Sequence, residues 1–514
     1  MAGAYAAMTG RGQAVLVHVD AGTANAAMGL HNLFRSRLPV MLFAGKSPFT
    51  LHGELPGSRD NYVHFVQDPF DMNSLVRPYV KWEYNLPSGV VVKEALRRAH
   101  SVMQSEPRGP VYMTLPRETL AESWEAHQIA SYDAVRFGAV QARGLSNAQA
   151  QSIAHRLMRA KHPIAITTYL GRDPAAVPLL DVLARTCGMA VYESSPSYLS
   201  MPRGSPCFAG FDAGGGLADA DLGLLLDVDV PWLPQFTKVN PATEWILLDT
   251  DPLKKDFPMW GFAAQDRLAV DCVQALTDVL KAVQAGLAND PNFVAAAAAR
   301  VVQLQAQHAQ RINSAEHAAA EAGSVDALSP AYALAALAKM LRPDDVVVNE
   351  AIRNAPNVLQ QIARDLPLTL LSSAGGGLGY SGGMALGVKL ARPAQRVIQI
   401  VGDGGFHFST PSSVYAVAQQ YQLPILTVVL DNGGWQAVKE ATLRMYPNGA
   451  AAQAQAYQAR LQGGKRDFAL VAQAFGAHGE TVRAAQELTP AVDRCLAALN
   501  KGQAAVLVAR IKPF

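Results

Sequence analysis

The chain has 514 residues and is 50% hydrophobic, enough for about three domains with buried sheets. Its formal net charge is only +2, so it carries no electrostatic footprint for nucleic acid or an anionic membrane, and small molecules are the expected partners. No apolar run approaches the ~20 residues of a membrane span, the first residues lack a charged segment followed by an apolar core, and Cys187, Cys207, Cys272 and Cys495 show no paired spacing, which argues against a disulfide framework or a zinc motif and fits a reducing cytoplasm.

Three blocks follow in chain order. Residues 1–122 alternate strand signals, at 14–19 and 40–43, with helical stretches, as a parallel α/β layer does. Residues 123–145 contain Gly138 and Gly144 without a clear period and read as a linker. A second α/β unit, 146–325, has strand candidates at 163–168, 222–228 and 244–248, and its Ala/Gln-rich tail from Phe293 to Ala320 has helix-forming composition. The third unit, 326–514, closes with a strand candidate at 504–508. The expected fold class is α/β, with three doubly wound parallel sheets.

The third unit carries the most informative pattern. Residues 396–401 form a short apolar run with β-branched members, so Gly402-Asp403-Gly404 falls where a buried strand ends and a turn begins. Glycine on either side of Asp403 permits close approach to a phosphate, and Ser409 to Ser413 are expected to open the next helix with free N–H groups aimed at the anion. A second strand, 424–430, delivers Asp431-Asn432-Gly433-Gly434 to the same carboxyl edge, where ligands of open α/β sheets collect. Magnesium takes oxygen ligands and bridges carboxylates to phosphates, so Asp403, the Asn432 side-chain oxygen and the carbonyl of Gly434 suit it. Alone, the first half is an ordinary strand-to-helix turn and the second a hairpin turn. Together they point to a diphosphate cofactor.

With these motifs, and with the segments 17–25, 39–45, 107–113 and 374–380, the chain resembles the thiamine-diphosphate-dependent decarboxylase and carboligase superfamily over nearly its whole length, acetolactate-synthase-like proteins most of all. The resemblance implies thiamine diphosphate and magnesium as cofactors, with a pyrimidine-binding first domain, a spacer that in some members binds a nucleotide, and a diphosphate-binding third domain. It makes Asp403, Asn432 and Gly434 the metal ligands, with Gly402, Gly404 and Gly405 at the diphosphate. Gly22 and Asn25 fall on the ring-holding segment. Leu378, after Gly377, takes the place of the bulky residue that wedges the cofactor into its bent form; the alternative is a plain core leucine. The middle block lacks a G-x-G-x-x-G run, and Asp212 to Gly216 is too weak to claim a dinucleotide. Asp431 stands where the family usually has asparagine, and support of the turn is its expected role.

Gln67 and Lys81 match residues bordering the substrate pocket, a solvated surface pair being the alternative. His18, His64 and His407 have the proton-shuttling chemistry of histidine, or are structural. Trp435 walls the pocket or packs in the core. The implied reaction is decarboxylation of a 2-oxo acid, followed by attack on a second carbonyl or protonation, with acetolactate formation leading. Residues 436–449 do not resemble biosynthetic acetolactate synthases, which leaves another 2-oxo acid, an aryl donor or a 2-hydroxyacyl-CoA open; a CoA substrate would require a basic groove for its phosphates, which Lys439, Arg444, Lys465 and Arg466 would provide, a solvated face being the alternative. A homodimer or homotetramer is implied. The family's activating glutamate would precede the segment matching Ala2 to Tyr5, and the first glutamate here, Glu54, does not match it, so the chain as written is expected to turn over pyruvate poorly, or to act as a cofactor-binding pseudoenzyme.

Overall fold

The computed structural model describes residues 1–287, 290–461 and 467–513, and the chain divides into two compact units. The first comprises Met1–Ala142 together with Ser373–Gly377. Its parallel sheet runs in the order β1-β2-β4-β3, from β1 (Gln13–Val17), β2 (Val40–Lys46), β3 (Glu83–Asn85) and β4 (Val111–Pro116). Side chains alternate across a strand, so neighbours in β2 and β4 enter different cores. Met41 and Met113 pack with Ala95, Ala99 and Met103 of the helix Val92–Gln104, whereas Leu42 and Tyr112 pack with Leu30 of the helix Val19–Arg35. Helices on both faces explain why β2 and β4 read as nearly continuous apolar runs.

The second unit, Arg143–Ser372 with Leu378–Phe514, holds two six-stranded parallel sheets. The middle one is built from β5 (Pro163–Thr167), β6 (Ala190–Glu193), β7 (Phe208–Gly210), β8 (Leu222–Leu226), β9 (Glu244–Asp249) and β10 (Asp266–Ala269), in the order β10-β9-β8-β5-β6-β7. At its carboxyl edge the buried ammonium of Lys254 sits 2.8 Å from Asp229 and 2.6 Å from Asp249, and the Tyr169 hydroxyl donates to Asp229. The Ala/Gln-rich stretch is one helix, Pro291–Ala318, capped by the Asp290 carboxylate. A short hairpin, β11 (Gly323–Ser324) and β12 (Ala327–Leu328), leads onward.

The last sheet has the order β14-β13-β15-β16-β18-β17, from β13 (Val346–Glu350), β14 (Leu370–Leu371), β15 (Val397–Gly402), β16 (Leu426–Asp431), β17 (His478–Val482) and β18 (Ala505–Arg510). Its register positions the site. Gly402 pairs with Leu430 and Asp431 with Arg510, so Asp403, one residue beyond β15, arrives beside Asp431. All four cysteines are buried and free. Cys495 lies within 4.8 Å of His478 and Glu480, but both Glu480 oxygens are held by Arg494, at 2.8 and 2.6 Å, so the group is an ion pair against a core thiol. Among the described residues no helix is long and apolar enough to cross a membrane.

Candidate active site

The helix after β15 starts at Asp403 itself and runs to Phe408, earlier than the expected start at Ser409; the next begins at Pro411. Asp403 therefore sits in the first turn of a helix, where N–H groups lack intrahelical acceptors. Its carboxylate accepts from the Gly404 amide at 3.0 Å through one oxygen and from the Gly433 amide at 2.8 Å through the other. The Gly433 amide also reaches Asp431, at 3.1 Å, which makes it the joint between the two halves of the motif. Gly433 has φ +91°, a conformation that requires glycine. The Asn432 side-chain oxygen accepts from the Gly434 amide at 3.1 Å, and the Gly434 carbonyl accepts from Gln436 at 3.0 Å. Asp403, Asn432 and Gly434 thus meet around one turn, each offering a further oxygen lone pair.

Electrostatics show what the turn lacks. Burial, then the Asp431 charge and a hydrogen bond shared with it, hold Asp403 well above the usual carboxylate range. Asp431 is neutralised by Arg510, reached from β18. An oxygen-rich, buried turn with a carboxylate that has no salt-bridge partner among the described residues is a donor set for a hard divalent cation. Magnesium fits it.

The glycines divide by role. At Gly402 a β carbon would meet no atom within 4 Å, which leaves room for a phosphate. At Gly404 it would stand 2.3 Å from the indole nitrogen of Trp435, so this glycine is fixed by packing of Trp435 over the turn. At Gly405 it would lie 3.0 Å from Val401. Gly379 has φ +89°, and its β carbon would meet the Phe408 carbonyl carbon at 2.7 Å, which seats the Leu378 turn against the end of the Asp403 helix. Leu378 is partly exposed there, unlike a core leucine.

His407 is exposed, its ring 6.3 Å from Trp435. Lys439 lies over the Tyr457 ring, Arg444 is on the helix Gln436–Met445, and Lys465 and Arg466 lie outside the described residues.

In the first unit, Gly22 is in the opening turn of the helix Val19–Arg35, where a β carbon would stand 2.9 Å from that of Val17, and Asn25 is exposed on the same helix. His18 is its exposed N-cap residue, and the next residue, Val19, has φ +36°, strained for a β-branched side chain. Gln67 is partly buried after the short helix Val63–Val66, its carbonyl accepting from Ser47 at 2.6 Å. Its neighbour Asp68 pairs with Arg59, and His64 is 3.4 Å from Asp60. The Lys81 ammonium donates to the carbonyls of Val102 and Ser105, at 2.6 and 2.7 Å, and so ties the end of the helix Val92–Gln104. That is a helix-capping role. Glu54 accepts from the Leu51 and His52 amides in its own turn.

Two groups escaped the sequence reading. Asn32 exchanges hydrogen bonds with the Gly377 backbone, its amide nitrogen donating at 2.8 Å and its oxygen accepting at 2.9 Å. A β carbon at Gly375 would stand 2.2 Å from the Asn32 oxygen, so part of the glycine run is explained by packing on this helix. Glu350, at the end of β13, accepts from the Gly379 and Ser381 amides. No spacing links either to its partner.

The family description "Thiamine pyrophosphate enzyme, N-terminal TPP binding domain" matches residues 1–75, and "Thiamine pyrophosphate enzyme, C-terminal TPP binding domain" matches residues 357–509. A benzoylformate decarboxylase from Pseudomonas aeruginosa is 26% identical over 85% of this chain and 78% of its own length. The acetolactate synthase large subunit of Haemophilus influenzae is 22% identical over 98% and 84%. The crystal structure of benzoylformate decarboxylase from Polynucleobacter necessarius superposes with a TM-score of 0.76 at 19% identity, covering 100% of this chain and 90% of that one. With thiamine-diphosphate-binding domains matched at both ends and relatives among decarboxylases and acetolactate synthases over most of its length, the chain belongs to the thiamine-diphosphate-dependent enzyme superfamily.

Proposed function

We propose that the protein is a magnesium-dependent decarboxylase of a 2-oxo acid, able to pass the resulting acyl carbanion equivalent to a second carbonyl as acetolactate synthases do. The observation that carries this is Asp403, a buried carboxylate that burial and the neighbouring Asp431 charge disfavour in its ionised form and whose turn offers further oxygens. Asp403, Asn432 and the Gly434 carbonyl would hold magnesium. Gly402 leaves space for the diphosphate, and the amides of Gly404 and Gly405 would donate to it. By the superfamily resemblance Leu378 would support the cofactor, and the segment of the first unit that carries Gly22 and Asn25 would take a pyrimidine ring. Thiamine diphosphate supplies the electron sink for loss of carbon dioxide. Gln67 and His407 are the polar groups assigned to substrate orientation and proton movement; Lys81, engaged as a helix cap, is left out of this set.

The relatives named above are benzoylformate decarboxylases and an acetolactate synthase, and the recognition element proposed for this chain is a 2-oxo carboxylate. Carbon dioxide release from pyruvate, benzoylformate and longer-chain 2-oxo acids, with thiamine diphosphate and magnesium each omitted in turn, tests the reading. Release from at least one acid, dependent on both additions, is expected, and acetolactate among the pyruvate products would identify carboligation. No release from any of them would overturn it. The protein is further proposed to be a homodimer or homotetramer, which multi-angle light scattering checks directly; a monomeric mass with cofactor and magnesium present would count against it.

A further inference from the structure

The end of β13 carries a buried carboxylate that none of these roles uses. Glu350 is 2% exposed. One of its oxygens accepts from the Gly379 amide; the other accepts from the Ser381 amide at 2.9 Å and from the Ser381 hydroxyl. The Tyr380 amide adds to this grip, and the Tyr380 hydroxyl donates to the Asn349 carbonyl at 2.8 Å. The gripped residues immediately follow Leu378 and open the helix Ser381–Ala391. Glu350 also borders the other half of the site, since a β carbon at Gly405 would lie 3.5 Å from its carboxyl carbon.

A chain of buried polar groups aims this carboxylate. The Tyr415 hydroxyl donates to Thr427 at 2.9 Å, Thr427 to the Gln399 carbonyl at 2.8 Å, the Gln399 amide to Ser381 at 2.8 Å, and Ser381 to Glu350. Gln399 and Thr427 face each other in the middle of β15 and β16, where two-sided burial otherwise selects apolar residues. Every proton in the chain runs the same way and ends on Glu350. Burial pulls Glu350 toward its neutral form, and the converging donors oppose that. A glutamine here would turn its NH₂ toward N–H or O–H donors and leave some of them unpaired.

We propose that Glu350 is a positioning residue that acts through Leu378, its carboxylate clamping the 379–381 turn so that Leu378 is held at one height against the cofactor. The assignment rests on the reading of Leu378 given under the proposed function. It makes the Tyr415-Thr427-Gln399-Ser381 chain a brace for the site.

Hydrogen exchange on the full chain without cofactor tests the clamp independently of activity. In Glu350→Gln the amides of residues 379–381 should exchange at least about tenfold faster than in the wild type, with those of β15 and β16 unchanged. Cofactor titration and kinetics then test the positioning. Glu350→Gln should lower kcat about tenfold or more with little change in KM, Glu350→Asp should recover part of the loss, and adding Glu350→Gln to Leu378→Ala should cost almost nothing further. Should Glu350→Gln fail to fold, Ser381→Ala, which keeps the carboxylate and the backbone amides, should show smaller changes in the same direction. Unchanged exchange, or losses that add with Leu378→Ala, would overturn the assignment while leaving the proposed function intact. A wild-type chain that binds no thiamine diphosphate would instead remove the functional reading and this assignment with it, and faster exchange would then mark only a structural clamp.

Discussion

Replacing Asp403 with asparagine is expected to stabilise the cofactor-free protein and, at the same time, to abolish cation-dependent binding of thiamine diphosphate. The two effects share one cause. In the folded chain burial and the adjacent Asp431 raise the Asp403 pKa, so across the interval from the ordinary aspartate value to the raised one the folded state binds more protons than the unfolded state. Stability from this group is therefore lost as pH rises through that interval, and above it the protein bears the full cost of a buried charge. Asparagine imitates the protonated carboxyl and does not titrate. Its gain over the wild type should grow from about pH 4 to about pH 7, the interval between the ordinary and the raised value, and reach about 1–3 kcal/mol, the usual cost of an uncompensated buried polar group. A cation removes the same cost by binding the ionised form, so wild-type affinity should tighten with pH and a proton should be released on binding. Losing a ligand should weaken cation-dependent cofactor binding by about 100-fold or more, at least the upper range for disturbing a ligand's supporting contacts. Differential scanning calorimetry across that pH range, paired with titration calorimetry, separates the outcomes. Unchanged cofactor affinity in Asp403→Asn would remove the metal-ligand assignment, and a lower melting temperature at alkaline pH would remove the electrostatic account.

What the sequence disclosed and what it withheld divide along a physical line. The strands at 396–401, 424–430 and 504–508 appear within one or two residues as β15, β16 and β18, because strands covered on both faces must be apolar and the turns that end them carry glycine or asparagine. Asp403 and Asn432 were legible for the same reason, each lying just past a strand end. The partners were not. Arg510 reaches Asp431 through the register of β16 with β18, Asn32 meets Gly377 from 345 residues away, and Lys81 makes sense only once the end of the helix Val92–Gln104 is known. Some signal lay unused. Gln399 and Thr427 are polar residues in the middle of apolar runs, and a polar side chain buried on both sides must have a partner, which leads to Ser381 and then to Glu350. The glycines of the Asp403 helix admit Trp435 and Val401 at close range, contacts that no local pattern announces.

Arg510→Ala is expected to be among the most damaging substitutions outside the metal turn, and Asp431→Asn should rescue it. Asp431 has no exposed side-chain surface, whereas Arg510 keeps 19% of its own. Removing the arginine strands a carboxylate that water cannot reach, beside a second buried carboxylate at Asp403, and breaking a buried pair in this way costs about 3–5 kcal/mol. Removing the aspartate charge is milder. Arg510 can regain solvent, and an asparagine oxygen can still accept the Gly433 amide that Asp431 accepts now. Asparagine is also the residue that the superfamily resemblance places at this position, so Asp431 and Arg510 behave as a matched pair. Single Asp431→Asn should therefore cost no more than about 1 kcal/mol, and the double variant should match it rather than Arg510→Ala. Divalent cation should raise the melting temperature of Arg510→Ala more than that of the wild type, because the ion supplies the missing positive charge and binding to the folded state alone is stabilising. Thermal unfolding of the four proteins, with and without magnesium, decides it. If the double variant is as unstable as Arg510→Ala, the arginine acts through the packing of its aliphatic stem on β18, and charge compensation at Asp431 is the wrong explanation.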